Sequence, residues 1–487
     1  MNKILLLFFL FFQSLYANGI IKIALKSDDL NLNPIYNRDD GIVKLLYLGL
    51  FYKDNNKILK PVLVDRYTIS KDKLKYDLQL IKGIYFKKDD VNYGEFNAED
   101  VKFTYDLIKN NLFKSKYKIY YENIKEIKVI DKYNIQFILK EYDDNFLNNL
   151  TLGIMSKNAV AKLGIDYFKT NAIGLGPYYL KQIDNQQIVL LQNKNSNIKT
   201  SNNGLIFHFF QNDVQIKNAL NNNLIDIATI DYKYLKSLNL NINIDKIKSN
   251  KIAVLNINNK TIDDRKLRYA LSLIICKQNL IQNYDYLEMI NTTNKNIYKN
   301  QIFYDCDRKK AKELLNNLGY YKERKSIELN INKKSENNYY KKDNNELKLE
   351  IYANEKNKIH IDIANNIIQQ LKDFGISATL ISILNDDTQF KIDDIKTEEV
   401  INLFSLINQE TKKTATKSQL TDSNIATQIK ENYYKEFIKQ IQLNPPYIFL
   451  ASYSNYLVYS NKIKGLNIKS FNESDIYSQA IYWFKDE

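Results

Sequence analysis

Histidine is nearly missing from this chain, with two in 487 residues, His208 and His360. Neither has a His or Cys neighbour at metal-ligand spacing, which excludes a zinc site of the usual protein-built kind. His208 alternates with Ile206 and Phe210 as in a strand, and His360 stands near a helix start. Both read as structural, His360 as an exposed residue. Nucleophile-elbow, P-loop and zincin patterns are all missing. The GLG of AIGLGPYYL (172–180) lacks the third glycine of a dinucleotide fingerprint and precedes a strand-like YYLKQI rather than a helix. No two of the many carboxylates can be assigned as acid and base. These absences disfavour an enzyme, and no catalytic residue, metal or cofactor is assigned. Glycine and proline are also scarce, 13 and 5, which argues against long disordered linkers. Two cysteines cannot be the main staple of so long a chain. Cys276 and Cys306 fit either a disulfide or, for Cys276 in an apolar helical stretch, a buried thiol.

What is present begins with a leader-like N-terminus, MNKILLLFFLFFQSLYANG. Lys3 supplies the charged region, residues 4–12 the apolar run, and a short polar region follows, predicting export and cleavage after Ala17. The run is too short to span a bilayer. No Cys stands near Ala17 to take a lipid, so the expectation is a soluble periplasmic protein without a lipid anchor. The net charge of +14 is spread among interleaved acids. That predicts a solvated basic surface, with no nucleic-acid partner.

The length calls for several domains or lobes. The spacing predicts strands at 20–26, 76–86, 188–193, 205–210, 251–258, 347–354 and 376–383, and a hairpin over 124–142. It predicts a helix at 42–52 and one capped by Asn97 with Asp100 as its capping-box partner. Further helices open at Asp263–Asp264 and run over 307–320 and from Ile363 to Gly375. Strand, helix and strand over 347–383 form a βαβ unit with a parallel pair. Residues 385–432 are polar and read as loops, followed by a helix at 425–443. The class is α/β.

In order, the chain carries LYLGLF, YDLQLIKGIYF, FNAEDVKFTYDLI, AIGLGPYYL, NALNNNLIDIATI, IDDRKLRYALSLIICKQNLI, DRKKAKELLNNLGY, IANNIIQQLKDFGISATL and NPPYIFLASYSNYLVYSNKIKGL. This succession resembles the family 5 extracellular solute-binding proteins, the oligopeptide-, dipeptide- and nickel-binding components of ABC importers. The resemblance implies a bilobal periplasmic binding-protein fold of type II with a small subdomain inserted in lobe I. Lobe I is expected at 18–45, 170–255 and 445–487, the insert at 46–169 and lobe II at 256–444, with hinge crossings near Asn256 and Asn444–Pro446. It implies a monomer that captures a small ligand, most simply a peptide, and delivers it to a membrane permease. Alternatives are a nickel- or metal-chelate binder, or an exported protein that kept the fold and lost its ligand.

The departures bear on the ligand. Dipeptide-binding relatives clamp the ligand carboxylate with an Arg whose position here falls at Asn354, with Lys356 and Lys358 as the nearby cations. Their later Trp- and Asp-containing motif, whose carboxylate meets the peptide's ammonium group, corresponds here to DDTQFKIDDIKTEEVINLFSLINQ, which has no Trp and whose acids do not align with it. Loops at strand ends are where α/β proteins bind ligands. The expected ligand-binding residues are therefore Asp28, Asp29 and Asn33 after the first strand, Ile173 and Gly174, Asn256 at the crossing, and Asn354 and Lys356 in lobe II.

Overall fold

The computed structural model describes residues 19–26, 30–38, 40–115, 117–282, 287–288, 306–322, 339–355, 357–396, 447–467 and 475–486. The expected leader, the expected helix at 425–443 and Pro445–Pro446 lie outside them. The chain forms two compact units, Met1–Lys248 with Asn455–Glu487, and Ser249–Ser454. Each has its own hydrophobic core.

In unit 1, β1 (Ile20–Lys26) leads to α1 (Gly41–Leu46), whose first amides are capped by the Asp40 carboxylate. The helix expected at 42–52 stops at Leu46. Tyr47 turns extended there, and Phe51–Lys53 forms a short strand. Strands β2 (Val64–Ile69) and β3 (Lys75–Leu80) follow. The strand expected at 76–86 ends early because Gly83 takes a positive φ of 78°. The chain then re-forms as the β4 (Tyr85–Lys88) and β5 (Val91–Glu95) hairpin.

Helix α2 (Ala98–Lys109) starts with the expected capping box of Asn97 and Asp100. Its Val101, Tyr105 and Ile108 are fully buried, and the Tyr105 ring meets Tyr121 and Phe137 edge-on. Asp100 also accepts the Lys157 amide at the start of α3 (Lys157–Leu163), tying the two helices; burial pushes its carboxyl up to about 6. The hairpin of β6 (Ile124–Val129) and β7 (Asn134–Leu139) completes a sheet with β2 and β3.

The remainder of unit 1 is strand-rich. β8 (Tyr178–Ile183), β9 (Gln187–Gln192) and β10 (Gly204–Phe210) form a meander, followed by α4 (Asp213–Asn221) and β11 (Ile227–Ile230). β1 lies between β10 and β11, parallel to both. β12 (Ile242–Ile257) carries the chain from unit 1 into unit 2.

Unit 2 continues with α5 (Arg265–Ile274), α6 (Lys277–Ile281) and α7 (Arg308–Asn317). Then come β13 (Lys348–Tyr352), α8 (Lys358–Phe374), β14 (Ser377–Ile381) and β15 (Phe390–Lys396). β16 (Tyr447–Ser460) returns the chain to unit 1 and pairs there with β11. The βαβ unit is present, with β13 and β14 parallel and α8 ended by Gly375 in the left-handed region. Cys276 and Cys306 are joined in a disulfide.

A further expectation fails within the described residues. Residues 390–396, read as loop, form β15, parallel to β13 and antiparallel to β12. Its apolar alternation runs only from Phe390 to Ile392 before Asp394 breaks it, too short a signal to register.

Glu95 provides a prediction on stability. Its carboxylate accepts from Lys132 Nζ (2.7 Å), the Gly83 amide (2.8 Å) and the Tyr133 hydroxyl (3.0 Å). Chiefly the Lys132 bond holds it down at about 2, below its ordinary 4.5. A depressed acid stabilises the fold above its unfolded value and loses that stabilisation as pH falls toward the folded one. The urea midpoint should therefore fall from pH 5 to pH 2.5, and less steeply in Glu95→Gln. An equal slope in the variant would remove Glu95 from the account.

Candidate functional site

In unit 2 the parallel strands β13 and β15 set the scene. Their register pairs Ile351 with Phe390 and Tyr352 with Lys391. β13 stops at Tyr352, while β15 runs on to Lys396. Asp394, three residues past that last pair, thus projects about 10 Å beyond the carboxyl end of β13. The chain leaving β13 passes exposed Asn354 and enters α8, whose first turn holds His360.

His360 is 5% exposed, so the expectation of an exposed residue is corrected. It lies on the α8 face that carries Ile363, Ala364, Ile367 and Leu371, all buried in the core of unit 2. That i, i+3, i+4, i+7 series extends back to His360, so helical periodicity carried the signal. Its Nε2 lies 3.0 Å from Asp394 Oδ1. The Tyr453 hydroxyl, on β16, donates to the same oxygen at 2.8 Å. Burial alone would raise the Asp394 carboxyl, but the His360 and Tyr453 bonds outweigh it and hold the group below its ordinary value. Asp394 and Tyr453 were both missed. Asp394 was hidden by the broken alternation, and Tyr453 reaches it from 59 residues away.

The other expected residues fall as follows. Asp28, Asp29 and Lys356 lie outside the described residues. Asn33 is fully buried, and its side chain works as a turn: Oδ1 accepts the Ile35 amide, and Nδ2 reaches the Ile165 carbonyl at 3.4 Å. The Leu32 amide donates to Lys169 and Ser115 Oγ to the Ile35 carbonyl, so the loop after β1 is pinned to two other segments. Asn256 is half-buried in β12, opposite Lys391 of β15. The structure brings Asn354 and Asn256 into unit 2 with Asp394, and Asn33, Ile173 and Gly174 into unit 1.

Ile173 is buried and Gly174 is packed against α1. A Cβ on Gly174 would lie 2.1 Å from the Leu46 carbonyl oxygen, and one on Gly176 would lie 2.2 Å from that of Leu45. Neither glycine has positive φ. Close approach, not left-handed backbone, is what requires them here. The same junction takes in Gly49, whose Cβ would meet Thr151, and Gly153, whose Cβ would meet Tyr47. The carbonyls of Leu175, Gly176 and Pro177 are bonded to Ser196 Oγ, Asn193 Nδ2 and the Asn193 amide.

His208 is buried in β10. Burial, with Lys22 nearby, pushes its imidazole down to about 4, so at neutral pH it is an uncharged packing residue. Among the described residues there is no cluster of three or more His, Cys, Asp or Glu placed to hold a metal. No helix among them is long and apolar enough to cross a membrane.

This architecture is the bilobal α/β fold of the periplasmic binding proteins. The NikZ structure from Campylobacter jejuni, in complex with Ni(L-His), superposes with TM-score 0.75 at 23% identity, covering 96% of this chain and 99% of that one. The DppA structure from Helicobacter pylori, in complex with the peptide STSA, gives 0.72 at 19% identity, covering 96% and 98%. Residues 59–410 match the model for bacterial extracellular solute-binding proteins, family 5 Middle, and the chain belongs to this family. The glutathione-binding protein GsiB of Salmonella choleraesuis is 31% identical over 177 residues, 35% of this chain and 33% of that protein. The match thus spans a third of the length of that relative.

Proposed function

We propose that this protein is the exported substrate-binding component of an ABC importer, capturing a small ligand, most simply a peptide, and delivering it to a membrane permease. The observation that carries the reading is the family match over residues 59–410. The relatives' ligands, glutathione, a peptide and a nickel–histidine complex, are all small solutes. The Cys276–Cys306 disulfide supports export, since such bonds persist in oxidising compartments. The protein acts as a monomer without nucleic acid and without catalysis. The ligand contacts are drawn from Asp28, Asp29, Asn33, Ile173, Gly174, Asn256, Asn354 and Lys356.

A thermal-shift panel tests this. Its members are Ser-Thr-Ser-Ala and other short peptides, glutathione, and Ni²⁺ with free L-histidine. A ligand at a hundred times its Kd adds about 2.7 kcal/mol to the native state. For units of this size that raises Tm by roughly 5–10 °C. A shift with peptides supports the reading. A shift only with Ni²⁺ and histidine selects the chelate reading, in which the ligand brings its own coordination. No shift with any member contradicts ligand capture.

A further inference from the structure

Many surface lysines of unit 1 are paired with acids. Lys60 meets Asp54, Lys102 meets Asp106, Lys132 meets Glu95 and Lys157 meets Glu99. The outer face of α7 in unit 2 departs from this. Lys309 and Lys312 are exposed and stand three residues apart, so they are neighbours on one helix face. Lys322 follows on the chain leaving α7. Burial, then the Lys312 charge, holds its ammonium below the ordinary value, so the two lie near each other. Lys322 is also fixed in place: it lies 4.8 Å from the centre of the Tyr340 ring and donates to the Phe374 carbonyl at 2.7 Å. Lys342 adds a fourth charge, 5.5 Å over the Tyr320 ring just past the helix end. None of these four lysines pairs with a carboxylate among the described residues. The acids of the helix serve another residue. Lys310 is held above its ordinary value by Tyr269 first, then by Asp307 and Glu313.

Like charges at neighbouring helix positions repel, so the fold gains nothing from gathering them. The composition says what they suit. All four are lysines, point charges without the planar fork that reads one carboxylate or one phosphate. Beside them stand Tyr320 and the exposed Tyr321. Lys stems and Tyr rings each carry an apolar body and a polar tip, the character of residues at a membrane–water interface. We propose that the face built by Lys309, Lys312, Lys322 and Lys342 is a docking surface for a bilayer carrying anionic lipid headgroups. The contact is peripheral: ammonium groups meet headgroup phosphates, and no segment enters the hydrocarbon. Each lysine strengthens such a contact about fivefold, and salt screens it. The net charge of +14 adds a general attraction, so the test must separate the patch from the total.

The full chain is sedimented with vesicles of phosphatidylcholine and phosphatidylglycerol, and with vesicles of phosphatidylcholine alone. Wild type should go down with the anionic vesicles in about 50 mM salt, be released in about 500 mM, and ignore the neutral ones. Lys309→Glu/Lys312→Glu should lower the partition coefficient at least tenfold. Lys75→Glu/Lys125→Glu removes the same charge from exposed lysines of β3 and β6 and should lower it less than threefold. Both variants should keep Tm within a few degrees and the wild-type response to the ligand panel. If the first variant does not fold, Lys309→Gln/Lys312→Gln carries the test, with a loss of at least fivefold. No sedimentation of wild type, or an equal loss in both variants, overturns the docking surface and leaves the binding reading standing. Retention on immobilised polyglutamate without sedimentation on vesicles assigns the patch to an acidic protein segment and overturns the lipid partner.

Discussion

Gly176→Ala should destabilise the protein by about 3 kcal/mol, through overpacking and a weakened buried hydrogen bond. The new Cβ would sit 2.2 Å from the Leu45 oxygen and 2.4 Å from the Leu46 carbonyl carbon, all of it backbone. No side-chain rotation relieves such a contact. Either the end of α1 or the strand entry at Pro177 must move. Moving apart also strains the bond from the Gly176 amide to the Leu46 carbonyl, now 3.0 Å. The expected drop in Tm is roughly 6–12 °C. Gly164→Ala is the control: its φ is +80° and its Cβ would meet nothing within 4 Å. It incurs only the strain of a backbone region that is essentially glycine-only, φ +80° with ψ 158°, about 1–3 kcal/mol. If Gly176→Ala costs no more than Gly164→Ala, the close-packed junction is not what the glycine serves.

Opening the Cys276–Cys306 disulfide should cost about as much. The bond closes a loop of 30 residues. In the chain-entropy model that closure contributes about 3.6 kcal/mol by restricting the unfolded chain. The native side is set to receive it. The Gln370 side chain accepts the Cys276 amide at 2.6 Å and donates to its carbonyl at 3.2 Å. The Asp307 amide, beside Cys306, donates to the Leu273 carbonyl at the end of α5. Cys276→Ser/Cys306→Ser should lower Tm by roughly 7–14 °C in scanning calorimetry. Ligand binding should survive, because no ligand contact is assigned to either residue. A loss under 2 °C would show that α5 and α7 hold each other without the bond.

Much of this fold could be read from the residues. The capping box at Asn97, the βαβ unit over 347–383 and the glycine that ends α8 were legible because each is local: a cap, a period, a stop. Of the two histidines, only one sits where its neighbours in the chain put it. His208 reads as a strand residue from its immediate neighbours. His360 needed the helical face continued one turn back from Ile363, across the more polar start of α8. The Asp394 cluster lay beyond reach for a different reason. Its three members come from a helix, a strand and the return strand, so no spacing in the sequence brings them together. Its signature was negative, an apolar alternation that stops after two residues. The glycines at 174 and 176 show the converse. Their rarity marked the junction, yet their φ values and the backbone they face could come only from three-dimensional packing.

The central claim is that this chain holds a small ligand. Native mass spectrometry of the protein, exported and purified from its own host without denaturation, tests this most directly. The account predicts a mass above that of the mature chain by one small solute, released on mild activation and identifiable by fragmentation. Only the bare chain mass, together with no response to any member of the ligand panel, would contradict the account.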